Sequence, residues 1–344
     1  MSELIIVSYF FLSFIALFGI LEYKKLPFRN FLIFFVGIGL VLIAGLRPPF
    51  FDRDYEMYYY MFSDKHETES KEPSFRFALY LIKKVWNLDF DYFIFIYALL
   101  GVSTKIYAIK KYSDLPLLSL LVYFSYLFLL QDMTQIRAGV ASGLILLCIK
   151  PLYDRNWKVF LILALTAFLF HYSAFFVFLF WFINPTKINK KVYALVIPVC
   201  YLISTLLSGV LVAIQDVLPI FMQNKVNAYD FIEGTELNIF NAWQIMRIAI
   251  AYFAFYKLDK LQEINKYSIL LFKFYILSIG SLAALSFNPV YAGRIADLFA
   301  VADILFIPIV FSVIRPNLLG RIIVIAVSFA YFYLNFFYIG IFKP

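Results

Sequence analysis

Long, uninterrupted apolar runs constrain this chain more than any other feature. They lie near 4–21, 31–46, 91–109, 115–131, 133–150, 157–170, 171–183, 191–214, 241–257, 268–286, 294–314 and 319–340. Continuous runs of this length read as helices in lipid, whereas outer-membrane barrel strands alternate apolar and polar residues over short stretches. Composition agrees: 63% of the 344 residues are hydrophobic and 15% charged, against roughly half and a quarter in a soluble domain. A soluble enzyme, a disordered chain and a disulfide scaffold are excluded. The formal charge of +8 comes without a dense basic block, so no nucleic-acid partner is expected. The predicted fold is all-α: one polytopic membrane domain over 1–344 with about twelve transmembrane helices, some short or re-entrant.

The first run follows Glu3, and Lys24, Lys25 and Arg29 come after it. A cleavable signal carries its charge first, so the run reads as a permanent helix with its N-terminus outside. Twelve crossings return the C-terminus to the same side. The inner loops then collect Lys24, Lys25 and Arg29; Lys105, Lys110 and Lys111; Lys150, Arg155 and Lys158; Lys187, Lys190 and Lys191; Lys257, Lys260 and Lys266; Arg315 and Arg321. Every inner loop is basic, as the positive-inside rule requires. Fusing 157–183 into one helix would break that pattern, so two short helices turning near His171 are predicted. Cys148 and Cys200 both sit inside apolar runs and read as small buried hydrophobes.

Two long loops fall outside, at 47–90 and 215–240. The first is acidic, and within it Ser74 to Trp86 mixes apolar residues with Arg76, Lys83 and Lys84. This pattern predicts an amphipathic helix lying in the interface. The inner loops are short and carry no Walker or Rossmann glycine pattern. Only two histidines are present, so neither a His-based metal site nor a cofactor is expected.

Charges inside lipid cost about 2.5–3.5 kcal/mol or more at mid-depth and need a reason. Arg47 at the end of the second run, Arg137 one turn inside the fifth, Arg294 near the start of the eleventh and His171 at the turn all map to the outer face. Guanidinium forks match phosphate oxygens, so the three arginines together suit a lipid-linked pyrophosphate leaving group. Taken singly, each reads as interfacial snorkelling. Asp54 or His171 is placed to accept a proton from an attacking hydroxyl, although Asp52 and Asp54 read equally well as a solvated acidic loop. Tyr55 and Tyr58 fit either sugar stacking or an aromatic belt. Deeper in the runs, an Arg294–Asp297 pair at i, i+3 and an interhelical Arg247–Asp303 pair are expected. The latter is what a carrier would display.

These pieces, in order, resemble the EpsG-type family of bacterial polysaccharide polymerases, related to the Wzy O-antigen and capsule polymerases. The matching residues are Gly45-Leu46-Arg47, Asp54-Tyr55 with Tyr58, Glu72-Pro73-Ser74-Phe75, Gln135-Ile136-Arg137 with Ala138, Gly139 and Ala141, Phe170-His171-Tyr172-Ser173-Ala174, and Arg294. They cover roughly residues 40 to 310. The chain departs from the pattern at Arg53, where the family often has glycine, and at Ala138, where it often has glutamine.

The resemblance implies a GT-C-like glycosyltransferase in the bacterial inner (cytoplasmic) membrane, both termini periplasmic. It would join undecaprenyl-pyrophosphate-linked oligosaccharides, as donor and acceptor, at the periplasmic face without metal. Arg47, Arg137 and Arg294 would bind pyrophosphate, Asp54 or His171 would activate the acceptor hydroxyl, and Tyr55, Tyr58, Glu72 and Gln135 would shape the sugar site. Membrane lipids are implied as surroundings. Whether a chain-length regulator docks, and whether the product is O-antigen, capsule or exopolysaccharide, stays open. A lipid-linked oligosaccharide flippase and a glycan O-acyltransferase are the alternatives from other classes.

Overall fold

The computed structural model describes residues 2–22, 28–52, 54–63, 72–214 and 237–339. Most of the predicted outer loop 215–240 therefore lies outside the described residues. Helices occupy the stretches where the apolar runs fall: α1 (Ser2–Ile20), α2 (Arg29–Gly45), α5 (Phe90–Tyr112), α6 (Pro116–Tyr123, continued by π-helical turns over Phe124–Asp132), α7 (Ile136–Leu147) with α8 (Ile149–Tyr153), and α9 (Trp157–Phe170). A 3₁₀ helix (Tyr172–Phe182) follows, then α10 (Lys190–Ile214), α11 (Ala242–Tyr256), α12 (Leu258–Ile264) and α13 (Ser268–Ala284). The series closes with α14 (Pro289–Phe299), a 3₁₀ turn, α15 (Asp303–Phe311), and α16 (Asn317–Tyr333) with its π-helical end. Between α2 and α5 come α3 (Tyr55–Ser63) and α4 (Pro73–Leu79), the latter running on as π-helical turns to Val85. Among the described residues there is no strand.

The outside of the bundle is apolar. Phe10 is 70% exposed, Phe34 65% and Ile162 65%. Water would not tolerate so continuous an apolar surface, and lipid requires it. Three helices, Phe90–Tyr112, Ile136–Tyr153 and Asn317–Phe337, are long and apolar enough to cross a membrane, and several shorter apolar ones pack beside them. The chain is a helical membrane protein. Helix α5, with 23 residues, extends about 34 Å, which matches a hydrocarbon core of about 30 Å. It serves as a ruler between the two ends of the molecule.

Helices α5 and α7 run side by side in the same direction: Gly101 faces Gly139, and Thr104 meets Gly143. Small residues at the contact let the backbones approach, as is usual in lipid. Helix α6 returns between them. Its N-terminus is met by Glu22, from the end of α1, whose carboxylate accepts the Leu117 and Leu118 backbone N–H groups at 3.0–3.2 Å. Burial pushes the Glu22 carboxyl up to about 7 against these bonds and the nearby Arg29 and Arg321.

The predicted turn at His171 is present. His171 is extended between α9 and the 3₁₀ helix, and the two pack antiparallel: Phe160 stacks on Trp181 near one end and Phe168 meets Tyr172 near the other. Eleven residues of 3₁₀ helix at about 2.0 Å each reach as far as fourteen α-helical residues at about 1.5 Å. The two arms therefore match although their runs differ in length. The three-residue repeat of the 3₁₀ helix also explains its buried face, Ala174, Val177 and Phe180.

Two expectations are corrected. Lys105 is not an inner-loop cation: it is fully buried in α5, where Nζ donates to Asp132 at 3.0 Å and to Gly139 O at 2.6 Å. Arg294 does not begin its helix, because Asn288 caps α14 through Tyr291 N and Pro289 takes its first turn.

Candidate functional site

The site is assembled at the N-terminal end of α5, beginning with the exit from α2. Pro48 and Pro49 stop the helix, and Arg47 folds back, donating from Nη1 to Ala44 O at 2.9 Å and from Nε to Asp52 Oδ2 at 3.0 Å. Asp52 Oδ1 in turn accepts the Asp54 N–H at 3.0 Å, which starts the turn into α3. Arg47 and Asp52 are each only 6% exposed, so Asp52 belongs to a buried ion pair and not to a solvated loop. Burial outweighs the Arg47 charge and pushes the Asp52 carboxyl up to about 6.

Glu72 is the hub. It immediately precedes α4, whose first residue is Pro73. One carboxylate oxygen accepts from Arg137 Nη1, and the other lies 2.9 Å from His171 Nδ1. Three distant stretches of chain thus meet on one buried acid. Burial alone would raise the Glu72 carboxyl, but the His171 hydrogen bond and the Arg137 charge overcome it and hold the group below the usual carboxylate range. The ionised acceptor fixes the imidazole with Nδ1 protonated, leaving Nε2 as the acceptor nitrogen. The Arg137 guanidinium also lies against aromatic faces, 5.3 Å from the Tyr58 ring centre and 5.4 Å from that of Phe75. These rings belong to a compact aromatic cluster with Tyr55, Phe90, Phe93 and Tyr97, which fixes α3 and α4 on α5 and α7.

The sequence-predicted residues divide as follows. Arg137, His171 and Glu72 come together, and Tyr58 lies between Arg137 and Arg47, its hydroxyl interacting electrostatically with both. Asp54 is half-buried next to Asp52 and within electrostatic reach of Tyr58. Tyr55 is buried edge-on against Phe90 at 5.2 Å, so its ring packs the cluster. Gln135 is half-buried just before α7. Arg294 is exposed on α14, and no ion pair involving it is present among the described residues.

The Arg294–Asp297 pair is not formed, because Asp297 accepts from the Tyr126 hydroxyl instead. The Arg247–Asp303 pair is present at 3.1 Å, both side chains buried and Arg247 also donating to Ser278. Sequence reasoning missed two functional-looking partners. Asp52 is the partner of Arg47, five residues away and legible as i, i+5 across the proline turn. Asp132 is the partner of Lys105, held also by the Tyr123 hydroxyl at 2.7 Å. That pair is 27 residues apart, and nothing in the spacing announces it.

Chemically, the arrangement offers an oriented imidazole, a guanidinium sharing the same carboxylate, a second arginine paired with Asp52, and aromatic faces. Among the described residues, no three His, Cys, Asp or Glu side chains gather as a metal site.

The chain is similar to the amylovoran biosynthesis protein AmsC of Erwinia amylovora, with 23% identity over 323 residues, covering 88% of this chain and 84% of that protein. No solved structure matches it. The EpsG family model matches residues 30–343. That match runs from α2 to the end of α16 and takes in Arg47, Glu72, Arg137, His171 and Arg294 together; the chain belongs to the EpsG family.

Proposed function

We propose that this protein is a membrane polysaccharide polymerase, a GT-C-like glycosyltransferase that joins undecaprenyl-pyrophosphate-linked oligosaccharide repeat units. The apolar helices cross the bacterial inner membrane twelve times, both termini are periplasmic, and the α4 helix lies in the periplasmic interface. The observation that carries the reading is the single buried carboxylate of Glu72 holding Arg137 and His171 together, beside aromatic rings at one end of the bundle. Membership of the EpsG family and similarity to an amylovoran biosynthesis protein support polysaccharide assembly as the setting.

In the reaction, His171 Nε2 takes the proton from an acceptor sugar hydroxyl. The hydroxyl oxygen attacks the anomeric carbon of the donor glycan, and the bond from that carbon to the pyrophosphate oxygen breaks. The electron pair leaves with the lipid pyrophosphate, whose charge Arg137 and Arg47 stabilise; Arg294, exposed on α14, reaches the same anion when substrate is bound. Glu72 keeps the imidazole in the correct tautomer and stabilises it once protonated, as a carboxylate does in hydrolase triads. Asp54 is the second candidate for the base, on the strength of its place beside Tyr58 and Asp52. Tyr58, 2% exposed, backs the Arg137 guanidinium, and Gln135 borders the sugar.

A lipid-linked oligosaccharide flippase is the second reading, favoured by the buried Arg247–Asp303 pair. Glycan length in a strain lacking the gene distinguishes them. A lost polymerase leaves single repeat units on the final acceptor, whereas a lost flippase leaves no surface glycan. Complementation with Arg137→Ala is expected to restore the protein but not long chains. Chains of normal length from that variant would remove Arg137 from the site.

A further inference from the structure

A second feature adjoins the ion cluster: an apolar groove of about 490 Å³. Its walls are three helix faces. Helix α4 and its continuation contribute Phe77, Ala78 and Leu81, α5 contributes Leu100, and α9 contributes Thr166 and Leu169. From Pro73 to Trp86, both of which line it, the groove follows about 20 Å of helix.

The α4 segment buries Phe75, Leu79 and Ile82 in the aromatic cluster. Phe77, 63% exposed, stands outside that packing, whereas Ala78 touches it from the flank. Both form the roof of a trough left open between α5 and α9. Ser74 Oγ donates to Leu169 O at 2.7 Å and ties the head of this roof to the end of α9.

The head of the groove is continuous with the ion cluster at both of its chain ends. Pro73 and Ser74 directly follow Glu72, and Leu169 and Phe170 directly precede His171. Tyr97 joins the two regions. It lines the groove, it is 2% exposed, and its hydroxyl interacts electrostatically with Arg137 and Glu72. Ser74 interacts with that hydroxyl only beyond normal hydrogen-bond distance, so the buried donor has capacity for an oxygen entering at the junction.

We infer that the groove holds the polyprenyl tail of the lipid-linked donor, with its diphosphate at the Arg137 end and Tyr97 donating to it. The inference rests on the lipid-linked donor of the proposed function. An amphiphile with an anionic head and a long apolar chain complements a pocket that presents the Arg137 guanidinium and opens onto a trough whose walls are apolar. The tail thereby fixes which side the donor approaches from. It enters between α5 and α9, so the acceptor must come from the opposite side of His171.

The test is photocrosslinking of the full-length protein in vesicles of bacterial phospholipid. The probe is polyprenyl pyrophosphate carrying a diazirine in the part of its tail next to the diphosphate. Adducts are expected on α4, α5 and α9 around the groove, and unlabelled polyprenyl pyrophosphate is expected to compete them away. Ala78→Trp and Leu100→Trp, which fill the trough, are expected to lower the competed adduct roughly tenfold, the loss of about two buried methylene groups. Tyr80→Trp, on the same helix but outside the groove, is expected to keep it, which separates blockage from misfolding.

Adducts spread around the bundle, or not competed, would mean ordinary phospholipid occupies the trough and would overturn the inference. The readout is independent of polymerisation. Competed adducts without polymer formation leave the groove standing and remove the proposed function, whereas polymer formation with adducts elsewhere does the reverse.

Discussion

One carboxylate, Glu72, fixes both the guanidinium and the imidazole, so replacing it should disturb two functions at once. Glu72→Gln removes the charge that holds His171 in one tautomer, and turnover is expected to fall about 100-fold or more, with most of the loss in kcat. A change confined to KM would argue that Glu72 only shapes the binding pocket. The two acids of the site also titrate in opposite senses. The folded Asp52 carboxyl sits near 6, above its ordinary 3.8. Its contribution to folding is therefore fullest below about pH 4 and is lost as the pH rises to about 6. Glu72 is held below its ordinary 4.5, so its contribution is present above that value and is lost as the pH falls through its folded value. Thermal unfolding measured across pH is expected to show both slopes. Asp52→Asn should abolish the decline between about 4 and 6, and Glu72→Gln should abolish the acid-side fall. An unchanged profile in Asp52→Asn would mean that Asp52 keeps an ordinary titration.

At the scale of the elements, the buried Lys105–Asp132 pair fastens α5 to the end of α6 and, through Gly139 O, to the first turns of α7 that carry Arg137. A β-carbon at Gly101 would collide with the Asp132 carboxylate, so the glycine leaves room for the pair. Lys105→Met leaves Asp132 with the Tyr123 hydroxyl but no counter-charge and is expected to cost about 3–5 kcal/mol, whereas Lys105→Met with Asp132→Leu should recover most of that loss. Unfolding in detergent measures both, and a double variant no better than the single one would deny the pairing its energetic weight. Helix positions were legible in the sequence because apolar runs and basic loops report on lipid, and the turn at His171 followed from charge alone. One interhelical pairing, Arg247–Asp303, was legible because two opposite charges stand alone deep in apolar runs; the others were not. Lys105 stands close to Lys110 and Lys111, so its charge reads as one more inner-face cation, and its partner lies on another helix. The hub escaped for the same reason: Glu72 meets residues 65 and 99 positions away, separations that no local pattern encodes. Arg137 and His171 stood out only because charge and imidazole are rare in apolar runs, which flags residues without saying what they touch.

At the scale of the whole molecule, the length of α5 separates two polar ends. The Glu72 cluster lies at one, while Glu22, Asp114 and Arg321 border a cavity of about 520 Å³ at the other. The proposed orientation puts the first end in the periplasm. With Cys148→Ala and Cys200→Ala as background, a cysteine at exposed Asp91 is expected to react with an impermeant maleimide on intact spheroplasts, and one at exposed Lys260 only after permeabilisation. The reverse pattern would invert the molecule and remove the site from lipid-linked substrates outside. The most direct measurement is turnover by the purified protein supplied with one lipid-linked repeat unit and neither nucleotide nor nucleotide sugar. The account predicts long glycan and free polyprenyl pyrophosphate in step, with Arg137→Ala slowed about 100- to 1000-fold and His171→Ala by at least about 100-fold. Polymer made at the wild-type rate by both variants, or substrate left unjoined by the wild type, would contradict it.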